Sequence, residues 1–232
     1  MKIGSLFSGI GGLDLGLERA GVGRVVWQVE IEDYCRQVLA KNWPNAKRYA
    51  DVRDVVADVL EPVDVMCGGF PCTDISPASH GRGAGLAGPS SGLWYEFLRI
   101  IGELAPPVVV IENVAKWREW LPDVRRELWA IGYATVPIRM LASQVGAPHA
   151  RARIFVVAYA DGRAESAMRL HGEVARMQEA PEPCRAHWRT PPPGGWRVDD
   201  GVADGMDRGT AIGRAVVPQC AEVIGRLIAA AR

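Results

Sequence analysis

The chain is poor in the features that would build an oxidised or metal-held scaffold. Its five cysteines, Cys35, Cys67, Cys72, Cys184 and Cys220, are scattered through 232 residues. An odd number without paired spacing argues against a disulfide framework and for reduced thiols in a cytoplasmic setting. No Cys/His pairs stand at metal-ligand spacing, so no zinc site is expected. No basic start leads into an apolar run, and no apolar stretch approaches the ~20 residues of a spanning helix, so neither a signal peptide nor a membrane anchor is expected. An excess of one charge is also missing, because 27 Lys and Arg balance 27 Asp and Glu. Nucleic-acid binders often carry a basic excess, so net charge lends that function no support. The balance is nevertheless uneven: arginines gather at 151, 153, 163, 169, 176, 185, 189 and 197, which leaves room for a basic face in the C-terminal half. There is no internal repeat.

What is present is alternation. "KIGSLF", "VVWQVE", "VDVMC", "VVVIEN" and "RIFVVAYA" read as buried strands rich in Val and Ile. "LDLGLERAG", "EDYCRQVLAKNW", "LWYEFLRIIGELAP" and "LPDVRRELWAIG" carry apolar residues at helical spacing and end at Gly or Pro. Strand and helix alternating in this way imply an α/β fold with a mainly parallel sheet covered on both faces. Such sheets bind ligands at the carboxyl ends of their strands. From Asp161 to about Gly209 the period fails, and "APEPC" and "TPPPGGW" are loop punctuation. An irregular lobe is expected there, with order returning in a C-terminal helix entered near Pro218.

Three strand ends carry candidate chemistry. "SLFSGIGGLDLG" follows the first strand, and Gly9, Gly11 and Gly12 allow a tight turn close to a ligand at a helix N-terminus. Glu30 ends the next strand, 21 residues beyond Gly9, where an acid can grip the two hydroxyls of a ribose. The run is G-x-G-G rather than G-x-G-x-x-G, and no Lys-Ser/Thr pair follows, so no P-loop is expected. Asp51 reads equally well as a contact to an adenine amino group or as a helix cap. "GGFPCTDIS" puts Cys72 behind a proline at the end of a buried strand, whereas Cys67, inside that strand, reads as a small buried hydrophobe. "VVVIENV" puts Glu112 at another strand end, where burial raises a carboxyl's pKa and suits it to proton donation. "PHARARIF" offers Arg151 and Arg153, one strand period apart, as partners for phosphate or carbonyl oxygens.

"SLFSGIGG", "GGFPC", "IENV", "RAR" and "AVVPQCAEVIGRLI" occur in the order found in DNA (cytosine-5)-methyltransferases, and the chain resembles that family, in its small phage or prophage form. The resemblance covers Met1 to about Tyr159 and again about Asp204 to the end. It implies a Rossmann-like fold of the class I S-adenosylmethionine-dependent methyltransferase type, with residues 1–160 as catalytic and cofactor-binding domain. Residues 161–204 would form a short target-recognition lobe, and 205–232 a C-terminal segment whose helix returns beside the first strand. S-adenosylmethionine is the implied methyl donor, with Phe7, Gly9, Gly11, Gly12, Glu30, Ile31, Asp51, Val52 and Leu93 as its contacts. The implied substrate is a cytosine flipped out of double-stranded DNA, with Cys72 as nucleophile, Glu112 acting at N3, and Arg151 and Arg153 holding O2 and nearby groups. "TDISPASHGRGAGLAGPSSG", with five glycines, would be the lid closing over that base.

The resemblance leaves room for a cognate restriction endonuclease as partner, and a cytoplasmic monomer is expected. The chain departs from the family's pattern at His149, where a Gln is usual, at Arg214, where an Asn is usual, and in the brevity of the recognition lobe. Trp188 and Trp196 read either as DNA contacts or as that lobe's own core. Two other readings stay open: a degenerate homologue that binds without methylating, and a methyltransferase acting on tRNA.

Overall fold

The computed structural model describes residues 1–71, 92–149, 151–161, 163–179 and 215–231. Cys72, the glycine-rich stretch after it, Cys184, Trp188, Trp196 and Arg214 lie outside the described residues. Seven strands, β1 (Lys2–Leu6), β2 (Arg24–Val29), β3 (Lys47–Tyr49), β4 (Val65–Gly68), β5 (Val108–Val114), β6 (Tyr133–Leu141) and β7 (Ala152–Ala160), form one sheet in the order β3-β2-β1-β4-β5-β7-β6. The pairs from β3 to β5 are parallel, and β7 runs antiparallel to both β5 and β6.

Side chains alternate between two apolar layers, as a sheet covered on both faces requires. On one face Val65 and Cys67 of β4, Val108 and Val110 of β5, and Phe155 and Val157 of β7 pack with α1 (Gly12–Arg19), α5 (Ala164–Glu179) and α6 (Pro218–Ala230). On the other, Met66, Val109, Ile111, Ile154 and Val156 pack with α3 (Leu93–Leu104) and α4 (Leu121–Ala130). Among the described residues the remaining α-helix, α2 (Asp33–Asn42), joins β2 to the sheet edge.

Two strands and one helix escape the sequence reading. β3 is three residues long, and β6 carries Pro137, which hides a strand period but is tolerated at the sheet edge that β6 occupies. The irregularity expected from Asp161 onward is corrected for residues 164–179, which form α5. Its buried face is narrow: Ala167, Leu170 and Val174 enter the main core, with Met177 packed partly against it. Polar and charged residues take most of its other positions, so its period is faint.

The C-terminal helix α6 packs on α1. A Cβ at Gly12 would lie 2.1 Å from the Val216 carbonyl oxygen, and one at Gly16 would lie 2.4 Å from both Ala221 Cβ and the Pro218 carbonyl. Backbone cannot yield as a flexible side chain can. Gly12→Ala is therefore expected to lower stability by about 1–3 kcal/mol. Urea unfolding checks this, and an unchanged midpoint would mean that α6 does not seat on α1.

Candidate active site

The chain turns from one side of the sheet to the other between β1 and β4, so the loops at their carboxyl ends diverge and leave a crevice. A small open cleft lies there, lined by Ser5 to Gly9, Gly68, Gly69, Glu112, Ala215 and Val216 among others. The glycine loop and the buried acid thus face one space.

The loop after β1 holds an unusual shape. Phe7 has φ 53, a left-handed conformation that costs a non-glycine residue, and its ring packs against Phe97 at 6.0 Å. Gly9 has φ 56, and the position of an added Cβ there is open space. Gly11 (φ 85) caps α1, and its missing side chain makes room for Trp43. Glu30, only 8% exposed, ties this loop to the end of β2: its carboxylate accepts from Gly9 N at 2.7 Å and Glu32 N at 2.9 Å. Beside it Ile31 is 60% exposed, an apolar surface next to an acid. Asp51 accepts from Arg53 N and pairs with the Arg53 guanidinium, whose hydrogen bonds hold its carboxyl below the usual range. The capping role is therefore filled, and Val52 beside it is buried. Leu93, at the start of α3, is partly buried against the same layer as Phe7.

Glu112 sits on β5 opposite Phe155, on the face shared by α1 and α6, and is 7% exposed. Gly69 makes room for it, since a Cβ there would come within 2.9 Å of Glu112 Oε2. Burial pushes the carboxyl's pKa up, and the charges of Arg153 and Arg151 pull the other way. Arg153 lies diagonally across the β5–β7 pair, with its Nε 2.8 Å from Glu112 Oε1. The approach is close but not aligned as a hydrogen bond, and Glu112 Oε1 has no aligned donor among the described residues. Arg151 precedes β7 and also acts on Glu112 through its charge. His149 lies partly buried in the turn before Arg151.

Asn113, to which the sequence reading gave no role, points to the opposite face. Its Nδ2 donates to the Phe70 carbonyl at 3.2 Å, and its Oδ1 accepts from Val114 N at 2.7 Å. Phe70 is buried between Trp94 and Trp120, at 5.5 Å and 5.9 Å between ring centres. The segment leading into Cys72 is thus anchored two residues before the thiol. An Asn directly after a strand-end acid was the available signal. Cys67 is fully buried, and burial raises its pKa well above the ordinary thiol value.

The sheet order, the crevice and the loop–acid arrangement define the class I S-adenosylmethionine-dependent methyltransferase fold. A structural relative supports this assignment: a DNA modification methyltransferase encoded within an Escherichia coli prophage is 29% identical, with a TM-score of 0.56 over 69% of this chain and 47% of that one. The Entamoeba histolytica methyltransferase EhMeth, 20% identical, shares the fold with a TM-score of 0.59 over 68% of this chain and 52% of its own. Residues 1–184 match the C-5 cytosine-specific DNA methylase family, and the chain belongs to that family. Its relatives include the type II methyltransferases M.FnuDI of Fusobacterium nucleatum, 34% identical over 68% of this chain and 47% of that protein, and M2.BsuMI of Bacillus subtilis, 35% identical over 68% and 42%. The chain thus spans less than half the length of these two relatives.

Proposed function

We propose that the protein methylates cytosine at C5 in double-stranded DNA, using S-adenosylmethionine as donor and Cys72 as a covalent nucleophile. One observation carries the reading: a buried, arginine-flanked carboxyl and a glycine loop line the same crevice, beside the anchored approach to a Pro-Cys pair.

The residues present fit the cofactor. Gly9 leaves an open cradle, Glu30 fixes that cradle to β2, and Ile31 offers an exposed apolar surface beside it. Phe7, Gly9, Gly11, Gly12, Glu30, Ile31, Asp51, Val52 and Leu93 would hold it; Gly12 serves the approach of α6 as well. When bound, S-adenosylmethionine supplies an electrophilic methyl group.

The chain's own residues would supply the rest. Cytosine C5 is a poor nucleophile until a thiolate adds at C6, and Cys72 would make that bond. Glu112, kept protonated to higher pH by burial, would donate to N3 as negative charge develops on the ring. Arg153 and Arg151 would hold the base at O2 while restraining Glu112. Loss of the C5 proton and expulsion of Cys72 would then release the product. A stacked base cannot reach such a crevice, so the nucleotide must leave the duplex. A cognate endonuclease is the proposed functional partner.

Incubation with tritiated S-adenosylmethionine and mixed-sequence duplex DNA tests the reading, since label should appear as 5-methylcytosine. Label at another base, or none, would overturn it. The loop tie gives a second expectation. Glu30→Ala leaves Gly9 N–H without its charged acceptor, a contact worth about 1.5–3 kcal/mol. S-adenosylmethionine should therefore bind about 10- to 100-fold more weakly by calorimetry.

A further inference from the structure

Beneath the glycine loop lies a buried polar cluster that the proposed chemistry does not use. Ser5 of β1 pairs in register with Gln28 of β2 and with Cys67 of β4, so three adjacent strands present polar side chains in one row. Asp14, on the first turn of α1 and 0% exposed, reaches this row from above. Its Oδ1 accepts from Ser5 Oγ at 2.6 Å and its Oδ2 from Gln28 Nε2 at 2.7 Å, with Cys67 Sγ 3.8 Å from Oδ1. Ser8 Oγ lies 2.8 Å from Ser5 Oγ, and the Ser8 carbonyl accepts from Gly11 N at 2.9 Å. A chain of hydrogen bonds therefore runs from a buried carboxylate, through two hydroxyls, into the glycine loop itself.

We propose that Asp14 is a positioning residue, its carboxylate holding the glycine loop through Ser5 and Ser8 in the shape that receives the cofactor, and its protonation releasing that hold. The inference rests on the cofactor reading above. A carboxylate accepts from both neighbours at once with full charge, whereas a carboxylic acid gives up one acceptor and keeps that contact only if the Ser5 hydroxyl reverses or the Gln28 amide turns over. Burial raises the carboxyl from 3.8 to about 6, while the hydrogen bonds from Ser5 and Gln28 pull it down. Facing it are Ser5, Gln28 and Cys67 from the strands and Glu18 one turn along α1. Glu18 is itself engaged by Val25 N and Trp43 Nε1. From α6, packed against α1, the titratable groups are Cys220 and Glu222, the latter paired with Arg226.

The test combines S-adenosylmethionine calorimetry with hydrogen exchange of the Ser5–Leu15 segment, corrected for intrinsic rates, at pH 7.5 and 5.5. Wild-type affinity should fall about fourfold at the lower pH, the fraction of Asp14 then ionised. Asp14→Asn, the neutral isostere of the protonated acid, should lose this pH dependence and show at both pH values the weaker affinity and loop protection of the wild type at low pH. Asp14→Ala should lose loop protection at both pH values. An Asn variant with the wild-type pH slope, or an Ala variant with intact protection, would overturn the proposal. If the wild type binds no S-adenosylmethionine at either pH, the cofactor reading fails. Exchange alone then decides: a pH-dependent loss of protection in the wild type but not in Asp14→Asn upholds the inference, and its absence refutes it.

Discussion

Cys72→Ser is expected to lower methyl transfer on the order of 10³-fold or more, with S-adenosylmethionine binding kept at the wild-type level. The expectation follows from the chemistry of the ring. An electron-rich C5 arises only after a nucleophile adds at C6, and a serine hydroxyl is hardly ionised where a thiol supplies a useful thiolate fraction. The proposed cofactor contacts lie on other segments, after β1, β2 and β3 and at the start of α3, so binding should survive. Single-turnover transfer and calorimetry on the same preparation separate the two effects. A serine variant with near-native turnover would remove the covalent step from the account.

The second large effect belongs to Glu112. Glu112→Gln keeps the shape but cannot give a proton to N3, and positioned acids contribute about 10²–10⁴-fold. Transfer should fall by that range. The pH profile tests the cause as well as the size. Because burial raises the Glu112 pKa, its protonated and active form persists above the ordinary carboxylate range and is lost as pH rises through the folded value. The high-pH limb of wild-type transfer should therefore reflect loss of that proton, while the rising limb reflects formation of the Cys72 thiolate. The Gln variant should lack the Glu112 limb. The same sign governs folding: a buried carboxyl with a raised pKa favours the folded state most below the unfolded value, and that contribution is lost as pH rises through the folded one.

Much of the frame was legible because burial writes itself into sequence. Val108 to Ile111 and Ile154 to Ala158 are apolar on both faces, which marks interior strands, and Glu112 stands out because a carboxyl follows such a run directly. What was not legible depends on contacts between distant segments. Nothing near Gly12 or Gly16 announces that α6 needs their missing side chains, and nothing near Asn113 announces the Phe70 carbonyl. Asp14 reads as an ordinary first-turn acid on an amphipathic helix until the strands place Ser5, Gln28 and Cys67 beneath it. α5 was missed because a few apolar residues suffice to seat a helix whose other positions are mostly polar.

Covalent trapping tests the central claim most directly. The protein is mixed with S-adenosylmethionine and duplex DNA containing 5-fluorocytosine, whose C5 has no proton to lose, and a denaturation-stable adduct is sought by mass spectrometry. The account predicts an adduct joining Cys72 to the fluorinated base, dependent on the cofactor and absent in Cys72→Ser. No adduct with DNA, or one formed only with fluorinated tRNA, would contradict it.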